Sequence, residues 1–139
     1  MTTRELGTSE LFKRVKPFIN TGLIKKVFEY PDRQVDASDM PCVIVMQGED
    51  KIVKRSTRNY LGYPCGRELI IVVECWDHSS GSVSTIRDTI LEAILQNSGI
   101  LIPKVLIREQ KQIGPFNLGV PKVLGIRMYF EMNYTDDGF

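Results

Sequence analysis

The chain has a single histidine, in the run Trp76-Asp77-His78-Ser79-Ser80. Asp, His and Ser are the residue types of a hydrolytic triad, in which an oriented imidazole takes the proton of an attacking hydroxyl. Sequence neighbours cannot supply that geometry alone, because nucleophile, base and orienter must converge from different elements. Asp77 and Ser79 to Ser82 read instead as turn and N-cap residues ahead of a helix. Cys42, Cys65 and Cys75 form no C-x-x-C pair. Cys42 and Cys75 fall in apolar runs, where a thiol acts as a small hydrophobe, and all three read as structural in a reducing compartment. With one His and no paired Cys, a zinc-type site would need a carboxylate cluster, and none stands at useful spacing. Gly62, Gly66 and Gly81 are isolated, so no phosphate cradle is drawn. These readings name no catalytic residue, no metal ligand and no cofactor.

Composition points the same way. At 139 residues, with 42% apolar and 25% charged residues, the sequence fits one globular domain, 1–139. The net charge of +1 gives no bulk attraction to nucleic acid or membrane. No apolar run reaches the ~18 residues of a membrane span, and the first residues lack a signal-peptide core. The reading is a protein that stays in the cytosol where it is made.

Charge becomes informative once divided along the chain. Residues 29–50 carry Glu29, Asp32, Asp36, Asp39, Glu49 and Asp50 against Arg33, a net of −5, while 51–67 carry Lys51, Lys54, Arg55, Arg58 and Arg67, a net of +5. The two segments could neutralise each other across a hairpin, or an acidic patch of one subunit could meet a basic patch of the next, head to tail. Basic residues beside Tyr60 and Tyr63 also fit nucleic-acid stacking. The near-neutral whole argues against that, and no sequence-specific nucleic-acid partner is expected.

The elements that would position these residues follow from periodicity. Leu11, Phe12, Val15 and Ile19 stand at helical spacing over 9–20, with Thr8 or Ser9 as N-cap, Gly22 as stop and Pro17 as a kink or early end. Lys26–Tyr30 reads as a short strand. Cys42–Met46 and Lys51–Ser56 read as a hairpin around Gln47-Gly48-Glu49-Asp50. Glu68–Trp76 is the strongest strand, apolar on both faces, hence central and covered on both sides by helices or a neighbouring subunit. Val83, Ile86, Ile90, Ala93 and Ile94 define a helix over 83–97, closed by Gly99. Pro103 separates a short strand from a basic stretch, and Gly114-Pro115 with Gly119-Val120-Pro121 marks a long irregular connection. The last strand alternates: Ile126, Met128, Phe130, Met132 and Tyr134 on one face, Arg127, Tyr129, Glu131 and Asn133 on the other. Residues 135–139 read as a frayed tail. The sum is an α+β domain: a mainly antiparallel, mixed sheet of about five or six strands with two principal helices packed against it.

In this order the elements resemble the tail terminator proteins of long-tailed bacteriophages. The resemblance is carried by the opening helix, the strand and acidic loop before Pro41-Cys-Val-Ile-Val45, and the long loop with Tyr60 and Tyr63. It continues through Arg67-Glu-Leu-Ile-Ile-Val-Val-Glu74, the helix after it, and the closing Phe130-Glu-Met-Asn-Tyr134. It covers nearly the whole chain as pattern, without a diagnostic motif. It implies a mixed sheet flanked by helices and a homo-oligomer, a hexameric ring. Such a ring binds the last ring of tail tube protein, stops polymerisation and offers a surface to neck and head-completion proteins. It implies no reaction, no cofactor and a place at the head-proximal end of the virion tail. No motif carries over binding residues, so exposure and charge nominate Asp32, Asp36, Asp39, Lys54, Arg55, Arg58, Tyr60 and Tyr63 as subunit or tube interface. Three alternatives stand beside it. One is another neck or head-completion subunit; another is a ligand-binding domain with a pocket under the Tyr60–Gly66 loop. The third is a small hydrolase using Asp77 and His78.

Overall fold

The computed structural model describes residues 2–29, 37–55, 65–117 and 123–136. A helix α1 (Thr3–Val15), a short turn of helix α2 (Pro17–Asn20) and strand β1 (Lys26–Glu29) open the chain. Strands β2 (Cys42–Arg55) and β3 (Cys65–Asp77), helix α3 (Ser80–Ile94), and strands β4 (Ile100–Ile102), β5 (Val105–Asn117) and β6 (Leu124–Asp136) follow. The six strands form one sheet in the order β1-β2-β3-β6-β5-β4, with β1 parallel to β2 and every other neighbouring pair antiparallel. The expected α+β fold, a mixed sheet with two principal helices, is what the chain adopts.

Both long helices sit on one face of the sheet. Register places Val73 opposite both Val45 and Met128, and Ile71 opposite Phe130, so the alternation read in β3 and β6 becomes a continuous apolar surface. Leu11 and Val15 of α1 and Val83, Ile86, Ile90 and Ile94 of α3 pack onto it and are buried. Each such side chain removed from water contributes about 1.5–3 kcal/mol, which makes this layer the main source of stability.

Several local expectations are corrected. Helix α1 begins at Thr3, not near Ser9: Thr2 Oγ1 accepts from the Glu5 amide at 3.1 Å, and Glu5 Oε2 accepts from the Thr2 amide at 3.3 Å. Such a reciprocal capping box satisfies two free donors at the helix start. Thr8 lies within the helix and donates its hydroxyl to the Glu5 carbonyl. The helix ends at Val15, and Pro17 opens α2 at a position where a missing N–H costs nothing. Ile19, in α2, is exposed rather than in the core.

The expected hairpin at 47–50 does not form. β2 runs through these residues as one long strand paired with β3, with irregularities between Gln47 and Asp50 and between Ile52 and Lys54. A bulge absorbs one extra residue without reversing the chain, and Gly48 with acidic neighbours suits a bulge as well as a turn. Similarly, β5 continues past Gly114-Pro115 to Asn117 with an irregularity between Ile113 and Phe116, so no loop begins there. Gly119 to Pro121 lie outside the described residues. β6 includes Thr135 and Asp136, each paired with β3; 137–139 lie outside the described residues.

Candidate interface surfaces

β3 is central, as expected, but among the described residues helices cover only one side of it. Leu69, Ile71, Val73 and Cys75 are fully buried under them, whereas Ile70, Val72 and Trp76 on the other face are only partly buried. At one end of that second face Met40, Cys42, Ile44 and Val123 form a small separate cluster, joined by Phe28, Met46 and Trp76. Its remainder mixes Ile70 and Val72 with polar residues of β3 and β6, with β2 and β5 beside them.

Three carboxylates lie within this second face with at most 7% of their surface exposed: Glu68, Glu74 and Glu131. A buried carboxylate is tolerated only when paired or hydrogen-bonded. Glu74 accepts from Arg127 Nε and, at 3.0 Å, from Trp76 Nε1. Arg108 Nη2 donates to both oxygens of Glu131 at 3.1 Å, and Gln110 Nε2 donates to one at 3.2 Å. Glu68 lies with its Oε1 3.8 Å from Lys51 Nζ. Burial, a hydrogen bond to Glu131 and the Glu131 charge push the Glu68 carboxyl above its ordinary value of 4.5. Burial alone would also raise Glu131, but hydrogen bonds from Asn133, Arg108, Glu68 and Gln110 outweigh it and hold that carboxyl low. The two carboxyls are therefore shifted in opposite directions, Glu68 toward its neutral form and Glu131 toward its charged one.

The pH consequence has a definite sign. Because the folded state raises the Glu68 value, its contribution is complete below pH 4.5 and is lost as pH rises through the folded value. Glu131 acts oppositely: its contribution is present above 4.5 and is lost as pH falls through its lowered value. Glu68→Gln keeps a donor toward Glu131 and cannot ionise. Urea denaturation across pH 4 to 9 is expected to show the variant gaining on the wild type as pH rises. A stability difference constant over that range would refute the raised Glu68 value.

On the helix side, a second polar network ties α1 to β2 and β6. Arg4 donates to Gln47 Oε1 through Nε and Nη2, and to Asp50 Oδ2 through Nη1 at 3.2 Å. Tyr134 donates its hydroxyl to the same Asp50 oxygen, and Arg67 Nη1 lies 3.9 Å from Asp50 Oδ1. The opposite charges of 29–50 and 51–67 therefore meet in part, through Asp50 and Arg67 on neighbouring strands rather than across a tight hairpin.

The residues nominated from sequence fall as follows. Asp32, Asp36, Arg58, Tyr60 and Tyr63 lie outside the described residues. Lys54 and Arg55 belong to β2, where only their backbone is described. Asp39 is buried, and its Oδ1 accepts from Lys26 Nζ at 3.1 Å. Its carboxylate thus braces the start of β1 instead of facing outward. His78 is exposed, and its backbone amide donates to Asp77 Oδ1 at 2.8 Å. Ser79 caps α3 by accepting from the Ser82 amide at 3.2 Å, so the turn-and-cap reading of this run holds. Burial pushes the thiols of Cys42 and Cys75 up to about 12, in keeping with their structural reading. The side chain of Cys65 lies outside the described residues. Beside Gly66, an open groove of about 350 Å³ is lined by Arg67, Lys104, Leu106, Asn133, Tyr134 and Thr135.

Sequence reasoning missed the Glu68–Glu131 pair and its cations. The polar alternation of β6 was visible, but bringing Glu131 beside Glu68 depends on strand register, which no local signal encodes. Among the described residues, no group of three His, Cys, Asp or Glu side chains is placed to hold a metal ion. No family model matches this chain, and no curated protein matches it.

Proposed function

We propose that this chain is a structural subunit of a phage tail, a tail terminator that assembles as a closed ring on the last ring of tube protein. The observation that carries the reading is the central strand β3, which sets Ile70, Val72 and Trp76 on a second face that no helix covers among the described residues. A strand of that composition calls for cover on its second side, and in a ring a neighbouring copy or the tube would supply it. The exposed apolar side chains Ile52, Ile100, Leu106 and Ile113 add surface of the kind that association removes from water. A head-to-tail contact closes into a ring when the rotation between copies permits. Repeated weak patches then hold the cap on the tube through avidity. The ring would sit at the head-proximal end of the tail, end tube growth and offer its outer surface to neck and head-completion proteins.

Mass in solution tests this directly. Sedimentation of the purified protein, alone and mixed with the tail tube protein, is expected to show a ring in at least one condition. A strict monomer in both, at every concentration, would sink the proposal. His78→Ala is expected to leave tail assembly intact, since a cap depends on interfaces and not on an imidazole; loss of assembly would favour the hydrolase alternative.

A further inference from the structure

β5 is sheltered on one edge and open on the other. It pairs with β6 from Leu106 opposite Asn133 to Asn117 opposite Leu124, whereas β4 reaches only Val105 and Leu106. Ile107 is buried, with Gly99 against its carbonyl; from 108 to 116 the outer edge has no strand neighbour among the described residues, and 110–115 are exposed. Such an edge presents a row of backbone N–H and C=O groups to any strand that can approach.

The charge along this edge has one sign. Between 103 and 117 the cations are Lys104, Arg108 and Lys111, all exposed, against the single acid Glu109. Glu109 turns to the helix side, its Oε2 3.9 Å from Arg87 Nη2 of α3. Arg108 and Lys111 stand on the helix-free face. Arg108 keeps 71% of its side chain exposed while bonded to Glu131. Lys111 lies with Nζ 4.7 Å above the Tyr129 ring. Leu106 and Ile113, 49% and 44% exposed, flank them on the same face.

These features select among occupants. A second β5 laid against the first would bring their Arg108 and Lys111 side chains near each other, and like charges across a strand pair are destabilising. We propose that 108–113 of β5 is a docking edge for an extended acidic segment of a partner protein. That segment adds as an outer strand, with carboxylates toward Arg108 and Lys111 and apolar residues over Leu106 and Ile113. Main-chain hydrogen bonds supply the affinity of such strand addition, and side chains on alternate positions supply its selectivity. Pro115 lacks an N–H and ends the ladder. This inference concerns one edge of the sheet and stands or falls apart from the ring.

The probe is a short fluorescein-labelled peptide alternating Glu and Val, titrated with the whole protein at low salt and followed by anisotropy. A peptide with Lys in place of Glu, and two versions N-methylated on either set of alternate residues, serve as comparisons. The acidic peptide is expected to bind saturably and about tenfold or more tightly than the Lys peptide and than one of the N-methylated versions. Lys111→Glu is expected to weaken it by a similar factor with the circular dichroism spectrum unchanged; Lys111 is chosen because its contact is an aromatic ring and not a buried carboxylate. Equal binding of the Lys peptide, indifference to both N-methylation patterns, or indifference to Lys111→Glu would each overturn the proposal.

Discussion

Replacing Gly99 by Ala is expected to lower the unfolding free energy by about 4 kcal/mol, with a full loss of cooperative folding at moderate temperature as the extreme outcome. Gly99 follows α3 at φ +77°, a left-handed conformation that costs an L-residue about 1–2 kcal/mol. Space adds the rest. A Cβ there would lie 2.4 Å from the Ile107 carbonyl oxygen of β5, a backbone atom that cannot rotate away. The neighbouring Ser98, at φ +55°, offers a control: Ser98→Gly removes a strained Cβ and is expected to be neutral or slightly stabilising. Thermal melts of both variants separate the explanations. A Gly99→Ala protein within about 1 kcal/mol of wild type would show that β5 can yield at this point.

The same junction is held from the other side by Arg14. From α1, its Nη1 donates to the carbonyls of Ile94 and Gln96 at 3.0 and 2.9 Å, and its Nη2 donates to the carbonyl of Ile100 at 2.6 Å. Nε reaches Glu10 one turn back at 3.3 Å. The last carbonyls of a helix have no partner within it, and here a side chain some eighty residues earlier supplies one. The Arg14 side chain is only 9% exposed, so solvent screens it little. Arg14→Ala strands these acceptors and is expected to cost about 3 kcal/mol in urea denaturation, from several charge-assisted bonds of about 1.5–3 kcal/mol each that do not add in full. Arg14→Lys is expected to recover less than half, because an ammonium cannot span three carbonyls as a planar fork does. If Lys restores everything, charge at the helix C-terminus, and not fork geometry, is what matters.

What could be read in the sequence was what repeats over several residues in one element. β3, β6 and α3 were placed within a few residues, and the buried face of β6 was assigned residue by residue. Their periods of two and 3.6 come directly from backbone geometry. The start of α1 was misplaced because Thr8 and Ser9 have cap chemistry whether or not they occupy a cap, and the true cap, Thr2, lies ahead of the apolar pattern. Gly48, Glu49 and Asp50 suit a bulge in β2 as well as a turn, so composition alone does not separate the two. Arg14 and the Glu68–Glu131 pair were invisible, since each joins segments far apart in the chain and so depends on tertiary placement. The interface residues named from charge fell mostly on 32–36 and 58–63, outside the described residues, and Asp39 proved to be a buried brace.

The strand order carries one more implication, for how the chain acquires its shape. β6 follows the five other strands in the sequence yet lies between β3 and β5. Until it is made, β3 and β5 have no common neighbour, the helices have half a sheet to lie on, and two apolar edges stand open. Joining strands so distant in sequence gives a high contact order, which slows folding. A nascent chain halted before β6 would expose the edges and apolar surface that drive aggregation. Folding of this domain is therefore a late, concerted event, and the protein has a stake in completing its synthesis before it meets other copies of itself.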